Sequence, residues 1–406
     1  MENFILTQDN ADSLWKLMAS LYPIHRTLVN RGFQKSMEII GREIPLRITK
    51  VPSGTKVWDW VVPDAWEVKE AYIEDMRGNR LVDFHKNNLH LAAYSVAFRG
   101  KVTRDELMKH LIWSDALPDA IPYAYEYYTH NWKFSIAKMD LSRLKDPEYT
   151  VVIDVDKKPG EMWLGDCLLP GETKQEIVLS TYLCHPSLAN DSLSGVVCGV
   201  EIFKALSQIR QRRFSYRLLI VPETVGCIAY LATHEDWIPK IEGGYVLTCC
   251  GDKGPVTYKK SYFASSLIDR AALHVLQKCR GDRSFRVQEF SPEGSDERQF
   301  NAPGVRVPFG SLMRTPYAEY AEYHTSKDDL SVVNPENLLD TVDVLLQILR
   351  VLDNNVTYKN KYRGEPFLSK HGLHIPFITT KDAGFLNQVI IQETDGRQDI
   401  LSIADK

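Results

Sequence analysis

The sequence predicts an α/β fold, an αβα sandwich with an inserted β-rich domain, on three observations. Apolar runs of strand length alternate with helix-period segments between residues 177 and 352. Polar residues able to carry chemistry follow successive predicted strands. A stretch dense in β-branched and aromatic residues, 51–172, interrupts the alternation. The expected organisation is therefore 1–50 with 173–360 as the α/β domain, 51–172 as the insertion, and 361–406 as a short C-terminal segment. A chain of 406 residues can hold one large core and an accessory domain.

Residues 12–44 read as two helices, LWKLMASLY and RGFQKSMEIIGREI, with apolar residues at helical spacing. From Val51 the character changes, with turn signals at Ser53-Gly54 and Arg77-Gly78-Asn79. Strands are expected over 149–154 and 165–169. Before them come a helix, RDELMKHLIW, and the aromatic cluster Tyr123, Tyr125, Tyr127, Tyr128 and Trp132. Tyr127, Tyr128 and Trp132 either wall the pocket and select substrate or fill the core of the insertion. The α/β pattern resumes at Ile177 with a strand that breaks at His185-Pro186. Asp191 follows, and then a helix on which Val197, Val200, Glu201 and Ala205 give one apolar and one polar face. Further strands are expected over 216–221, 244–248 and 305–308, and helices over 265–279 and 334–352. The tail carries a partial helix-turn-helix-like pattern.

Composition narrows the function classes. Apolar and charged fractions of 44% and 25% are those of an ordinary globular protein. A net charge of −4 gives no reason to expect nucleic acid or an anionic membrane as partner, and it weakens a DNA-binding reading of the tail. The tail is expected to pack on the core or to serve a contact in a homo-oligomer. No apolar run approaches the ~18 residues of a membrane span, and MENFILTQDN lacks a signal core. Seven scattered cysteines without a CxxC pair fit buried thiols, Cys184 among them, and a cytoplasmic setting.

His185, Asp191, Glu223 and His324 each follow a predicted strand, in loops expected on one edge of the sheet. Two imidazoles and a carboxylate suffice to hold zinc with an open position, and a further Glu suits proton transfer. A loop His or Asp also serves as a cap or turn residue, and spacing alone leaves both readings open. The histidines of the insertion, His85, His90, His110 and His130, lack ligand spacing and read as structural or surface residues.

The segments CHPSLANDSLSGV, VPETVG, GSDERQF and EYHTSKDDL resemble the motif series of the zinc-dependent aminopeptidase superfamily, which includes glutaminyl cyclases. With VPSGTKVWDWVVPDAWEV and FLSKHGL, nearly the whole chain resembles bacterial aminopeptidase-like proteins of unknown function. In those a β-rich domain interrupts the peptidase fold and a winged-helix segment follows. The resemblance implies a phosphorylase/hydrolase-like zinc exopeptidase fold with a short, truncated winged-helix segment here. It implies His185, Asp191 and His324 as metal ligands and Glu223 as catalytic base. Dinuclear relatives have a second Glu after the base, where this chain has Thr224. Their further Asp falls at Cys249 or Cys250, with Asp252 just beyond. One zinc per chain is therefore expected, serving hydrolysis of a small peptide or peptide-like amide. The alternatives are a cyclising enzyme of glutaminyl-cyclase type and an inactive binding protein on the same fold; retention of all four residues speaks against the last. For a substrate amine the candidates are Asp296, then Glu293 and Glu297, or an acidic solvated loop. Arg314 is a candidate for a substrate carboxylate or oxyanion, or a plain ion pair. Tyr323 is a candidate oxyanion donor or support for His324, or a packed aromatic.

Overall fold

The computed structural model describes residues 6–127, 129–372 and 381–406, without the side chains of 381–384. Its centre is an eight-stranded mixed sheet. The strands are β1 (Arg47–Pro52), β2 (Glu161–Leu169), β3 (Glu176–Tyr182), β4 (Ser215–Val221), β5 (Ile241–Leu247), β6 (Val256–Lys259), β7 (Phe285–Gln288) and β8 (Phe309–Met313). They lie in the order β1-β2-β4-β3-β5-β8-β6-β7. The inner four, β4, β3, β5 and β8, are parallel to one another, while β2 and β6 run antiparallel to their inner neighbours. β3 and β4 are buried at every position, which is why they read as unbroken apolar runs.

Three placements differ from the sequence reading. The strand expected over 305–308 forms instead at Phe309–Met313, beyond Pro308, which cannot donate to a ladder. β6 and β7 are short strands that no apolar run announces. β2, expected within the β-rich insertion, pairs with both β1 and β4 in the main sheet. Pro52 lies opposite Glu161 in that ladder, so the intervening chain leaves and returns at adjacent strand ends.

Side-chain alternation along the strands sorts the helices into two layers. The helices are α1 (Gln8–Leu21), α2 (Arg31–Ile40), α3 (Gly195–Ser207), α4 (Val225–Thr233), α5 (Leu267–His274) and α6 (Pro335–Asn354). On one face Tyr216 reaches Asp353 of α6, and Tyr245 donates to the Ile268 carbonyl of α5. On the other face Arg217 meets Tyr230 of α4 and is held between Asp166 and Glu176. α2 starts at an Asn30 cap that accepts from Phe33 N (2.8 Å), and α6 at Asn334, which accepts from Glu336 N (2.7 Å). α3 is buried along its length except at Lys204 and Ser207. Its expected polar face is covered by α1, whose Asn10 donates to Glu201 (2.6 Å).

Gly195 opens α3 directly against β5. A Cβ there would lie 2.0 Å from the Leu247 carbonyl oxygen. Gly195→Ala is expected to cost about 1–3 kcal/mol through forced displacement of the helix. A lowered thermal midpoint in calorimetry checks this, and an unchanged midpoint contradicts it.

Between β1 and β2 the chain builds a four-stranded antiparallel sheet, in the order Arg80–Asp83, Ala65–Glu74, Glu148–Lys158, Phe98–Thr103. Trp66, Tyr149, Val151 and Ile153 fill its buried side. The helix expected over 104–113 stops at Lys109, and Leu111–Ile112 forms a short strand. His110 stacks on Trp132 at 3.7 Å, which places that Trp in the core of the insertion. Tyr128 lies outside the described residues. At the C-terminus, Thr357–Lys359 pairs with Asp395–Asp399, flanked by helices Lys381–Glu393 and Ile400–Ala404. Arg270 of α5 clasps this segment through Asp399 at 2.7 and 2.9 Å. The winged-helix expectation falls partly on residues 373–380, outside the described residues. No helix among the described residues is long and apolar enough to cross a membrane.

Candidate active site

The carboxyl ends of the parallel strands converge on one cavity. β3 leads to His185, β4 to Glu223, and the long loop after β8 to His324. Asp191 lies in the turn Ala189–Ser194 that opens α3. His324 Nε2 and Asp191 Oδ2 face each other at 2.8 Å. His185 Nε2 lies 3.9 Å from the same oxygen and 3.8 Å from Glu223 Oε2. The ligand atoms of His185, Asp191 and His324 all lie within 4.8 Å of one another.

Two of these atoms test whether a metal fits. Among the described residues, Asp191 Oδ2 and His324 Nε2 are buried and face each other as an ion pair with no well-formed hydrogen bond to either. Buried polar atoms seldom lack a hydrogen bond, and a shared cation satisfies both. Burial pushes His185 down to about 4 against the pull of Asp191, which keeps its imidazole in the neutral, metal-ligating form. Burial opposes ionisation of Asp191, but His185 and His324 outweigh it and hold its carboxyl below the usual carboxylate range. The donor set fits zinc.

The other oxygen of Asp191 is already taken, because Tyr182 donates its phenol to Oδ1 at 2.6 Å. Asp252, the carboxylate nearest the position filled by Asp in dinuclear relatives, is taken as well. It accepts from Asn190 Nδ2 (2.9 Å), Thr315 N (3.1 Å) and Thr315 Oγ1 (2.5 Å). Cys249 is a buried thiol whose pKa burial raises well above its ordinary value. No second cluster of three or more ligating side chains occurs among the described residues.

Glu223 sits beside the cluster with 24% of its side chain exposed. Ser295 donates to Oε1 at 2.8 Å, leaving Oε2 toward His185. Burial, then the charges of Asp296 and Asp191, push its carboxyl well above the ordinary value. Thr224 adopts φ 61°, ψ −77°, a strained conformation for a β-branched residue, just where the chain turns from β4 into α4.

The surrounding residues hold the ligands from behind. Arg26 is fully buried and donates to the carbonyls of Leu183 and His185, each at 3.0 Å, which fixes the backbone on both sides of Cys184. Asp328 accepts from the backbone N–H of Asn190 (2.7 Å) and Asp191 (2.9 Å). The insertion holds His324, since Tyr123 N donates to its carbonyl at 2.7 Å and Pro122 bridges to Thr325. Tyr323 stacks on His324 at 4.0 Å. With Tyr123, Tyr125, Tyr127, Trp60 and Arg298 it lines a cavity of about 670 Å3 that holds His185, Glu223 and His324 on its wall.

Two expected substrate residues lie elsewhere. Arg314 is spent on Asp340 of α6 (2.9 Å) and the Gly254 carbonyl (2.9 Å), and does not line the cavity. Asp296 is fully buried, and its Oδ1 accepts from Thr224 N at 2.7 Å. Burial raises its carboxyl to about 7. Sequence reasoning missed Tyr123, Arg26, Asp328 and Arg298. Arg298 stands inside the quoted GSDERQF motif, and Asp328 inside SKDDL, so the motifs held signal that side-chain chemistry alone did not rank.

Comparison with known proteins gives the family and the fold. The family model DUF4910, described as a domain of unknown function, matches residues 15–355. A curated relative from Clostridium acetobutylicum bears the provisional name of a polysaccharide biosynthesis protein with an aminopeptidase-like domain. It is 39% identical over 404 residues, spanning 98% of this chain and 92% of its own. A crystal structure from the same species, described provisionally as a peptidase, superposes with a TM-score of 0.90 at 39% identity, over 98% of this chain and 92% of that one. A zinc aminopeptidase from Bacillus subtilis shares the fold, with a TM-score of 0.61 at 13% identity over 84% of this chain and 94% of its own. The chain is a member of the DUF4910 family, built on the fold of the zinc aminopeptidases.

Proposed function

We propose that the cavity is the active site of a zinc-dependent hydrolase that cleaves a peptide or peptide-like amide, with Glu223 as general base. The observation that carries this reading is the pair of buried atoms without a well-formed hydrogen bond among the described residues, Asp191 Oδ2 and His324 Nε2, facing His185 and Glu223 on one cavity wall. One zinc would be held by His185, Asp191 and His324. When bound, it supplies Lewis acidity toward an amide carbonyl and lowers the pKa of water. Glu223 takes the proton from the attacking water at Oε2 and returns it to the leaving amine. Ser295 keeps Oε1 occupied, so that Oε2 is the oxygen presented to the cavity. Tyr123 and Tyr323 flank the imidazoles and narrow the access of bulk water to them. Tyr182, by capping Oδ1 of Asp191, favours one metal over two.

The test is metal content by elemental analysis of protein purified without chelator. About one zinc per chain is expected in the wild type and loss of it in His324→Ala. Two tightly held equivalents would overturn the single-metal reading, and none after zinc is added back would overturn the hydrolase.

A further inference from the structure

One charged group on the cavity wall has no part in the proposed hydrolysis. Arg298 lines the cavity beside Gly294 and Gln299. Among the described residues its side chain makes one hydrogen bond, from Nη2 to Thr224 Oγ1 at 3.1 Å. Its Nε is buried and unpartnered, and among the described residues no carboxylate forms an ion pair with it. Two buried cations, by contrast, are neutralised: Lys259 by Glu297, and Arg217 by Asp166 and Glu176. Arg298 is half-buried, and its guanidinium keeps donors free for a ligand that enters the cavity.

The acids that could receive a substrate ammonium are missing from the wall. Asp296 and Glu297 are fully buried, and Glu293 is exposed outside the cavity lining. Glu223 is the one carboxylate among the lining residues. The cavity therefore has a cation and a proton-transfer group among its lining residues, and no separate acceptor for an amine. Thr224 sets this arrangement, because a neutral hydroxyl follows Glu223 and orients Arg298 without cancelling its charge.

We propose that Arg298 is a substrate-carboxylate subsite, so that the enzyme acts on amides bearing a free carboxylate, such as N-acylated amino acids or the C-terminal residue of a short peptide. The planar guanidinium donates once, to Thr224, and its remaining N–H groups suit the two oxygens of a carboxylate. A single arginine with no lysine among the lining residues suits a monoanion.

This inference rests on the cavity being the substrate site of the proposed hydrolase. The test is calorimetric titration of the zinc-loaded full chain with N-acetyl-L-alanine, its methyl ester, L-alaninamide and inorganic phosphate. The acid is expected to bind roughly tenfold or more tightly than its ester. Arg298→Met should abolish that preference, and Arg298→Lys should retain part of it, with zinc content unchanged in both. Equal binding of acid and ester by the wild type overturns the proposal without reference to any variant. So does an acid preference that survives Arg298→Met, which would assign the carboxylate to the metal, and so does tighter binding of alaninamide or phosphate. If acid binding depends on Arg298 but no amide is cleaved, the hydrolase reading falls and the subsite stands. If amides are cleaved with no acid preference, the reverse holds.

Discussion

Glu223→Gln is expected to lower amide hydrolysis by about 10²–10⁴-fold while zinc content stays at the wild-type level. The separation of the two effects follows from geometry. His185, Asp191 and His324 form the ligand cluster, and Glu223 stands beside it, 3.8 Å from His185 Nε2 and oriented by Ser295. Glutamine keeps the shape and the Ser295 hydrogen bond but cannot take a proton. The substitution also removes a buried negative charge that Asp296 and Asp191 oppose, so the thermal midpoint should hold or rise. Steady-state rates on a panel of acyl amides, read beside elemental analysis, check all three parts. Turnover within a few-fold of wild type would remove Glu223 from the mechanism, and a parallel loss of zinc would make it a ligand instead. Both hydrolysis and intramolecular cyclisation need the same base, so the products separate them. Hydrolysis places one oxygen of labelled water in the released acid, and cyclisation places none.

How far the sequence exposed this site depends on where each residue stands. His185 and Glu223 follow β3 and β4, strands buried at every position, and their apolar runs locate the strand ends closely. The residues after them inherit that certainty, and the motif resemblance gave roles to all four of His185, Asp191, Glu223 and His324. Arg314 obeys the same positional rule, coming directly after β8, yet its side chain turns to Asp340 on α6. Strand position fixes where a backbone ends; the direction of a long side chain depends on partners distant in the chain. Asp296 illustrates the same limit, because its burial is set by the Thr224 amide it accepts from, 72 positions away. Tyr123 reaches the cavity because residues 121–123 of the insertion pair with the His324 loop. β6 and β7 alternate apolar and polar residues over four positions each, too little for periodicity to register.

Lys259→Met is expected to destabilise the protein by about 3–5 kcal/mol and to slow turnover as well. Lys259 ends β6 with its side chain 4% exposed, paired at 2.9 Å with Glu297, which is fully buried. Removing the ammonium leaves an uncompensated carboxylate in the interior and frees the Glu293 carbonyl that Lys259 also holds. The effect on rate runs through a short relay. Glu297 accepts from the backbone N–H of Ser295 at 3.1 Å, and the Ser295 hydroxyl orients Glu223. Gly294, at φ 131°, lets the loop pass close to this pair, since a Cβ there would lie 2.3 Å from Glu297 Oε1. The double variant Lys259→Met/Glu297→Leu separates the two roles. With both charges gone, the cost of the unpaired carboxylate disappears and most of the stability should return. The Ser295 amide now loses its Glu297 acceptor, so turnover should remain low. Denaturant titration beside kinetics reads both quantities. Recovery of stability and turnover together in the double variant would show that the pair supports the fold alone, whereas recovery of stability without turnover assigns it the positioning of Glu223.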